Sequence, residues 1–227
     1  MGKTASRTNK QTRIRLLLVD DHPIVRQGLR QLLEAEPDIT VCGEAETPSA
    51  ALQAAEKTNP DMAIVDLSLK DGSGLELIKD LKIRHPHLAI LVLSMHDEAV
   101  YAERALRAGA LGYIMKEKAP SRVVQALRTI QEGDVYLSEA MAATILRKVA
   151  GKPSTTKDQL VAELSDRELE VFELIGQGIS TREIAERLHL SGKTIETYRE
   201  NIKRKLGLRN ASELLQHAIQ WHQGQTG

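Results

Sequence analysis

The chain of 227 residues is long enough for two small domains, and its charges balance, with 31 basic and 31 acidic residues. Its one cysteine, Cys42, excludes a disulfide framework or a cysteine-based metal cluster and favours a reducing, cytoplasmic location. We find no apolar run of about 18 residues, so no contact with a membrane is expected. Residues 1–12 are polar and basic without an apolar core, which predicts a disordered tail rather than a secretory signal.

Short apolar runs alternate with amphipathic segments from residue 13 to residue 133. Such runs are typical of buried parallel strands, and short loops between them indicate right-handed βαβ units. The sequence therefore predicts an α/β domain with a five-stranded, doubly wound parallel sheet. The strands are expected over 13–19, 40–45, 62–67, 89–94 and 112–115. The helices are expected from Pro23 onward and over 49–57, 75–84, 98–107 and 120–131.

The strand signal is lost after this domain. Residues 134–159 are predicted to be a linker, with a helix over 139–149 and the clearest linker composition over 151–157. Residues 160–227 contain the capping boxes Ser165–Glu168 and Ser180–Glu183, each of which opens a helix. Two short helices joined by a tight turn predict a small all-α domain of the helix-turn-helix type, with the recognition helix over 193–206.

Polar side chains follow the ends of four predicted strands in the first domain. Because the carboxyl ends of parallel strands meet at one edge of the sheet, we expect these side chains to gather over one crevice. Three carboxylates so close together require compensation, and oxygen ligands suit Mg²⁺. The pattern predicts that Asp66 accepts a phosphoryl group, that Mg²⁺ neutralises charge, and that Lys116 and Ser94 contact the product. The residues involved are Asp20, Asp21, Asp66, Ser94 and Lys116.

Each of these residues also has an ordinary structural explanation. Asp20 and Asp21 are suitable helix N-caps, and Asp66 is suitable as a cap of the following turn. Ser94 is a common turn residue, and Lys116 could be a solvated lysine. The functional interpretation therefore depends on the coincidence of all of them at four strand ends.

Four segments resemble the motifs of two-component receiver domains, and the resemblance covers about residues 14–133. It implies that Asp66 receives a phosphoryl group from the phosphohistidine of a sensor histidine kinase. It also implies that Asp21, Asp66 and the carbonyl of Ser68 bind Mg²⁺, with Asp20 assisting. The segments are Val19-Asp20-Asp21-His22-Pro23, Val65-Asp66-Leu67-Ser68-Leu69, Leu93-Ser94-Met95-His96 and Gly112-Tyr113-Ile114-Met115-Lys116.

The same resemblance assigns Ser94 and Tyr113 to a switch pair. The hydroxyl of Ser94 would move toward the phosphoryl group, and Tyr113 would turn inward behind it. Alternatively, Tyr113 is a strand aromatic that packs on the last two helices of the domain. One departure is Lys70, where many relatives have proline. It alters the loop after Asp66 but removes no ligand.

A basic stretch lies on the predicted recognition helix, where six basic residues between 193 and 209 accompany two glutamates. Helical phase directs one polar face outward, and the backbone N–H groups of the first turn favour phosphate. Glu196 or Glu200 could accept a hydrogen bond from cytosine N4 in the major groove. Equally, they could form a solvated face, with Glu200 paired to Arg204. The candidate DNA-contacting residues are Lys193, Thr194, Glu196, Thr197, Arg199, Glu200, Lys203 and Arg204.

The segment from Leu164 to Leu208 resembles the LuxR-type DNA-binding domain of NarL/FixJ-family regulators. The resemblance depends on Gly178, Ile184-Ala185, Leu188, Lys193-Thr194-Ile195-Glu196 and Lys205-Leu206-Gly207. Together with a receiver upstream, it implies a transcriptional regulator of a two-component system, not an enzyme, that binds DNA when phosphorylated. A homodimer on phosphorylation is expected, and the last helix could supply a dimer face or simply close the domain core.

Two other functions are consistent with parts of the pattern. A phosphatase or other hydrolase could use Asp66 as its nucleophile, but it should have a general base two residues later, where the chain has Ser68. An interaction module regulated without phosphate would bind DNA equally well after Asp66→Ala. We therefore expect a response regulator whose phosphorylation biases domain opening or dimerisation.

Overall fold

The computed structural model of the protein describes residues 13–150, 161 and 163–223. Its first part is a five-stranded, all-parallel sheet, in which the first strand lies between the second and the third, and the fourth and fifth strands follow the third. The predicted α/β class and doubly wound sheet are confirmed. The strands are β1 (Ile14–Val19), β2 (Ile39–Ala45), β3 (Met62–Val65), β4 (Ala89–Ser94) and β5 (Gly112–Met115).

Helices cover both faces of this sheet. A proline stands in the first turn of α1, α2 and α5, where its missing N–H costs no hydrogen bond. Helix α4 ends at Gly109, whose φ of 111° is the left-handed conformation expected of a C-cap glycine. The helices are α1 (Pro23–Glu34), α2 (Pro48–Thr58), α3 (Gly74–Arg84), α4 (Glu98–Ala108) and α5 (Ala119–Gln131).

The apolar runs of the strands bury both faces of the sheet because side chains alternate along a strand. On β1, Leu16 and Leu18 belong to the core beneath α1 and α5. Leu17 and Val19 belong to the core beneath α2, α3 and α4. All four side chains are at most 1% exposed. This two-sided burial makes the sheet a rigid support for the residues at its carboxyl edge.

Besides one-residue shifts at several helix and strand ends, three details differ from the sequence-based prediction. Strand β3 ends at Val65 instead of residue 67, because the chain leaves the sheet after the N–H of Asp66 bonds the carbonyl of Val19. The following loop forms a two-residue antiparallel ribbon, Ser68–Leu69 with Gly72–Ser73. Residues Lys116–Lys118 form a 3₁₀ turn before α5. These short elements lack the periodicity by which a sequence signals a strand or helix.

A further helix, α6 (Glu139–Val149), follows the receiver-like sheet at the predicted position. It packs on α4, and its Met141 is 4% exposed within the core that includes the buried residues of α4. The N–H of Ser138 donates to Glu98 Oε1 at 2.9 Å and holds the start of α6 against the start of α4. The predicted linker composition over 151–157 and the predicted tail over 1–12 lie outside the described residues.

The last part is all helical, as predicted. Ser165 and Ser180 form both predicted capping boxes. The Phe172 and Trp221 rings pack with centroids 5.6 Å apart. Gly176 permits close approach of two helices, since a Cβ there would lie 2.5 Å from the carbonyl oxygen of Ala218. The helices are α7 (Asp166–Gly176), α8 (Thr181–Arg187), α9 (Gly192–Leu206) and α10 (Ala211–Gln223).

Within the described ranges, no helix has both the length and the apolar character required to cross a bilayer.

Candidate functional site

An acidic pocket lies at the carboxyl edge of the sheet, where β1 and β3 end. Asp20 and Asp66 are buried, at 3% and 2% exposed, and Asp21 is half-buried. Together with His22, these residues each offer a ligand atom, and the four atoms lie within 4.8 Å of one another. The expected gathering of carboxylates at the strand ends is therefore present.

Lys116, from the end of β5, neutralises part of this charge. Its Nζ lies 2.7 Å from Oδ2 of Asp66 and 2.7 Å from Oδ2 of Asp20. Burial alone would lower the pKa of Lys116, but the carboxylates of Asp66 and Asp20 outweigh it and the pKa is raised. One ammonium thus bridges the carboxyl groups of two separate strands.

The second carboxylate oxygen of Asp66 remains available. Among the residues that the structure describes, none forms a hydrogen bond to Asp66 Oδ1, although this atom is buried. Burial raises the pKa of Asp66, Lys116 opposes the increase, and the neighbouring Asp20 adds to it. A buried anionic oxygen without a partner is costly, so this geometry favours a cation or an electrophile at Oδ1.

The loop after Asp66 is held tightly against the phosphoacceptor candidate. A Cβ on Gly74 would lie 2.1 Å from the carbonyl oxygen of Asp66, so only glycine fits where α3 begins. Ser68 is exposed, and its hydroxyl lies 2.7 Å from Nε2 of His96. Lys70 is exposed in the turn of the two-residue ribbon.

Ser94 and Tyr113 both contact the segment that joins β4 to α4. The hydroxyl of Ser94 is fully buried and accepts a hydrogen bond of 3.3 Å from the N–H of His96. Tyr113 points inward, is 1% exposed, and donates from its hydroxyl to the carbonyl of His96 at 2.8 Å. The two predicted switch residues are therefore linked through one residue, His96.

The helix-turn-helix geometry is present over α8 and α9. Between these helices, His189 adopts a positive φ of 53°, which turns the chain sharply. Ser191 caps α9 by accepting from the N–H of Thr194 at 3.0 Å. Ile195 and Ile202 are fully buried and fix the rotation of α9 about its axis.

The opposite face of α9 exposes most of the predicted contact residues. Lys193, Glu196, Thr197, Glu200 and Arg204 are exposed, and Thr194 is half-buried. Arg199 and Lys203 are less accessible than helical phase predicts, with 17% of each side chain exposed. Their long side chains lie along the helix surface instead of extending from it.

The glutamates on this face pair differently from the expected Glu200–Arg204 contact. Glu200 Oε1 lies 2.8 Å from Lys203 Nζ, whereas Arg204 donates to Asn201 Oδ1 at 3.1 Å. Glu196 accepts a hydrogen bond of 3.1 Å from the hydroxyl of Thr181 on α8. The alternative in which Glu200 pairs with Arg204 is thus wrong, because Glu200 pairs with its i,i+3 neighbour Lys203 instead.

Two family models match the chain: the response regulator receiver domain over residues 16–128, and the bacterial regulatory proteins of the luxR family over residues 162–218. The oxygen regulatory protein NreC of Staphylococcus carnosus is 33% identical over 210 residues, which is 91% of this chain and 97% of NreC. The nitrate/nitrite response regulator protein NarL of Escherichia coli is 32% identical over 87% of this chain and 91% of NarL. The chain belongs to the NarL/FixJ family of response regulators.

Solved structures of response regulators agree with this assignment. RcsB of Salmonella typhimurium superposes with a TM-score of 0.69 at 31% identity, over 92% of this chain and 98% of that one. A structure of RcsB from Salmonella enterica serovar Typhimurium, bound to the promoter rprA with the phosphomimetic BeF₃⁻, gives a TM-score of 0.66 at 31% identity, over 92% of this chain and 99% of that one. The predicted identity, a phosphorylation-dependent transcriptional regulator and not an enzyme, is confirmed.

The two domains of this response regulator contact each other through α7, which the sequence did not predict. Asp166, at the start of α7, accepts hydrogen bonds of 2.9 Å from Lys79 of α3 and from Arg104 of α4. Glu173, two turns later, accepts a hydrogen bond of 2.7 Å from the hydroxyl of Tyr101 on α4. Glu173 and Asp166 have the composition of an ordinary solvated helix face, so no sequence signal distinguishes them.

A second contact joins the helix-turn-helix turn to the loop of the receiver. His189 Nε2 lies 2.7 Å from Asp71 Oδ1, and both side chains are about half exposed.

Receiver domains generally bind Mg²⁺ at an acidic pocket like the one formed here by Asp20, Asp21 and Asp66.

Proposed function

We propose that Asp66 is the phosphoacceptor and takes its phosphoryl group from the phosphohistidine of a sensor histidine kinase. The observation that carries this proposal is the asymmetry of the Asp66 carboxylate. Oδ2 is held by Lys116, whereas Oδ1 is buried and has no hydrogen-bond partner within the described residues. In the transfer, an O–P bond forms at Oδ1 while the N–P bond of the phosphohistidine breaks, and the imidazole leaves.

Lys116 and Ser94 stabilise the product in this proposal. In the acyl phosphate the negative charge of the site lies on the oxygens that the phosphoryl group brings, while the electron pair of the broken N–P bond leaves with the imidazole. The ammonium of Lys116 then pairs with one of these phosphoryl oxygens. The hydroxyl of Ser94, fully buried at the end of β4, donates to a second oxygen. Tyr113 occupies the space behind this segment, which keeps the hydroxyl of Ser94 directed to the pocket.

Mg²⁺ fits the remaining groups. Asp20, Asp21 and Asp66 provide carboxylate oxygens within 4.8 Å of one another, and the carbonyl of Ser68 is the fourth proposed ligand. This is an oxygen-only donor set, which magnesium prefers. When bound, the ion neutralises charge on the attacking carboxylate and the phosphoryl group. The carboxylates of Asp20, Asp21 and Asp66 carry more negative charge than the ammonium of Lys116 offsets, which supports a cation at this place.

The proposed DNA-binding surface is the exposed face of α9. Helix α9 is the second helix of the helix-turn-helix, and its first turn presents backbone N–H groups beside an exposed lysine, Lys193. Glutamates at the base edges would select cytosine, and the arginines and Lys203 would hold phosphates. The proposed residues are Lys193, Thr194, Glu196, Thr197, Arg199, Glu200, Lys203 and Arg204.

Phosphorylation in the cytoplasm is proposed to bias domain opening or homodimerisation, with two recognition helices engaging one DNA site in the dimer. The proposed boundaries are a receiver over 13–133, a linker over 134–159 and a DNA-binding domain over 160–227. The relatives support this arrangement, since their names and titles describe response regulators, one of them as dimers on DNA.

The intact mass of the full chain, measured after treatment with a small-molecule phosphodonor and Mg²⁺, tests the phosphoacceptor. We expect the wild type to gain one phosphoryl group and Asp66→Asn to gain none. The matched control is Asp80→Asn, which changes an exposed carboxylate on α3 outside the pocket. Equal phosphorylation of the wild type and Asp66→Asn would exclude Asp66 as the acceptor.

A further inference from the structure

His22 follows the two aspartates that end β1, and its ring turns back onto them. Nδ1 of His22 lies 2.7 Å from Oδ1 of Asp21 and 3.3 Å from Oδ1 of Asp20. The next residue is Pro23, and a residue before proline is restricted to extended conformations, here with φ −90° and ψ 108°. The backbone N–H of His22 also donates to Oδ1 of Asp20 at 2.8 Å. The proline and this hydrogen bond fix the position from which the ring reaches the pocket.

Neither helix capping nor core packing explains the position of the His22 ring. His22 is the N-cap residue of α1, yet its side chain forms no capping hydrogen bond within the described residues. The side chain is 61% exposed, so it contributes little to a core. The ordinary explanation that remains is an imidazolium that pairs with the carboxylates, and the geometry of the contact with Asp21 argues against it.

The contact of His22 with Asp21 is not a hydrogen bond. Oδ1 of Asp21 is shielded from solvent and has no hydrogen-bond partner in the part of the chain that the structure describes, although Nδ1 of His22 is only 2.7 Å away. A ring N–H directed at this oxygen would have satisfied it, since the distance is short enough. The two atoms therefore meet as electron-pair donors, and such a pair is stabilised by a cation that both can bind.

The distances match those between neighbouring ligands of one metal ion. An octahedral ion with bonds of about 2.1 Å holds adjacent ligand atoms about 3.0 Å apart and opposite ones about 4.2 Å apart. The distances from Nδ1 to the two aspartate oxygens, 2.7 Å and 3.3 Å, lie on either side of the first value. The candidate ligand atoms of Asp20, Asp21, His22 and Asp66 all lie within 4.8 Å of one another, which is close to the second.

Lys116 does not occupy the side of the pocket that His22 faces. Its Nζ pairs with Oδ2 of Asp20 and Oδ2 of Asp66, whereas Nδ1 of His22 lies near Oδ1 of Asp20. The ammonium and the imidazole thus stand at different oxygens of one carboxylate. A metal ion at Nδ1 can therefore bind without displacing the lysine, and it offsets the charge that one ammonium leaves on three carboxylates.

We infer that His22 is a nitrogen ligand of the metal pocket and makes the pocket select a divalent first-row transition ion over Mg²⁺. The inference rests on the proposed metal site, to which it adds a ligand and a specificity. Carboxylates and carbonyls alone suit Mg²⁺, which prefers oxygen. An imidazole nitrogen increases the affinity for transition ions and adds little to the binding of Mg²⁺.

Pulsed electron paramagnetic resonance of Mn²⁺ bound to the full chain tests the ligand directly. A nitrogen atom bonded to Mn²⁺ produces a hyperfine coupling that oxygen ligands do not produce. We expect this coupling in the wild type and its loss in His22→Phe, which keeps a ring of similar size. The matched control is His87→Phe, which changes an exposed histidine in the turn after α3 and should retain the coupling.

Competition between Mn²⁺ and Mg²⁺ for the full chain measures the selectivity. We expect His22→Phe to bind Mn²⁺ about tenfold more weakly than the wild type, the lower end of the losses that follow changes around metal ligands. The same variant should bind Mg²⁺ about as tightly as the wild type, because the oxygen ligands are intact. His87→Phe should retain the wild-type affinity for both ions.

The outcomes separate the inference from the proposed function. A nitrogen coupling that survives in His22→Phe would overturn the inference, as would Mn²⁺ bound to the wild type without such a coupling. Equal losses of Mn²⁺ and Mg²⁺ affinity in His22→Phe would overturn the selectivity. If Mn²⁺ does not bind the wild type, or binds Asp66→Asn as tightly, the proposed metal pocket itself is refuted. Circular dichroism of each variant verifies that α1 remains folded.

Discussion

Lys116 Nζ lies 2.7 Å from Oδ2 of Asp66 and occupies one side of a carboxylate whose other oxygen is unpartnered within the described residues. The lysine compensates the buried charge without blocking the oxygen that would react. Phosphoryl transfer to aspartate requires one paired oxygen and one free oxygen. A carboxylate with both oxygens paired would be a poor nucleophile, and a carboxylate with neither paired would be protonated more readily.

Lys116→Gln should therefore impair both stability and phosphorylation. It leaves the buried carboxylates of Asp20 and Asp66 without their shared cation, and we expect a loss of about 3 kcal/mol, the lower end for breaking a buried pair. Urea unfolding of the full chain without Mg²⁺ measures this loss. Lys118→Gln, an exposed lysine of the same 3₁₀ turn, is the control and should unfold as the wild type does. Equal stability of the two variants would refute the argument.

Mg²⁺ should stabilise the wild type by binding only the folded pocket. At a concentration one hundred times its dissociation constant, the expected gain is about 2.7 kcal/mol. Asp66→Asn should gain much less from the ion, because it loses one ligand and one charge. Thermal unfolding with and without Mg²⁺, in buffer that contains no Ca²⁺, measures both effects. A gain in Asp66→Asn as large as in the wild type would place the ion elsewhere.

The raised pKa of Asp66 gives this pocket a pH dependence in the absence of metal. A carboxyl group whose folded pKa exceeds its unfolded value, about 3.9 for aspartate, binds a proton more tightly when folded. The free energy of unfolding should thus decrease as the pH rises from the unfolded pKa through the folded one. Asp66→Asn should lack this component, which a comparison of metal-free unfolding curves at several pH values detects.

Beryllofluoride with Mg²⁺ should shift the full chain from monomer to dimer, and the shift should be absent in Asp66→Ala. Light scattering gives the mass directly. A bound ion without a change in mass would mean that activation opens the two domains without pairing them. If the wild type neither binds the ion nor changes mass, the phosphoacceptor assignment fails and only the DNA-binding half of the proposal survives.

The sequence predicted the acidic pocket because each of its residues follows a strong local signal. Asp66 and Lys116 stand at the ends of buried apolar runs, and the order of strands in a doubly wound sheet brings such ends together. The sequence did not predict the contact of Glu173 with Tyr101. That contact depends on how two separately folded domains dock, and helical periodicity assigns Glu173 only to a polar face.

In the recognition helix, too, the sequence predicted which residues are buried but not which side chains pair. Helical phase correctly separated Ile195 and Ile202 from the exposed face, because burial follows the 3.6-residue period. It did not predict that Lys203 lies along the helix to reach Glu200, because that choice depends on side-chain rotamers and on neighbouring charges.

Lys193→Ala should weaken DNA binding about equally for all DNA sequences, because one phosphate contact is lost. The slope of the logarithm of the binding constant against the logarithm of the salt concentration should become shallower by about one unit. Fluorescence anisotropy with a mixed-sequence duplex at several salt concentrations measures the slope. Lys57→Ala removes another exposed lysine, at the end of α2, and should leave the slope unchanged. The proposed surface is wrong if both variants lose affinity to the same extent.

Two glutamates on α7 should titrate with opposite signs. Burial raises the pKa of Glu168, but Lys205 and the backbone of Ser165 outweigh it and the pKa is lowered. Glu168 therefore contributes stability above its unfolded pKa, about 4.3, and this contribution is lost as the pH falls through the folded pKa. Burial raises the pKa of Glu170, and Arg167 only partly opposes it, so its ionised form costs stability at neutral pH.

Thermal unfolding of Glu168→Gln and Glu170→Gln between neutral and acid pH tests this difference. Glu168→Gln also weakens the capping box with Ser165, so it should lose about 1 kcal/mol at neutral pH, and its difference from the wild type should shrink on acidification. Glu170→Gln should be relatively most stable at neutral pH and lose its advantage as the wild-type carboxyl takes up a proton. If the stability of both variants relative to the wild type changed with pH in the same direction, the ion pair of Glu168 with Lys205 would not form in solution.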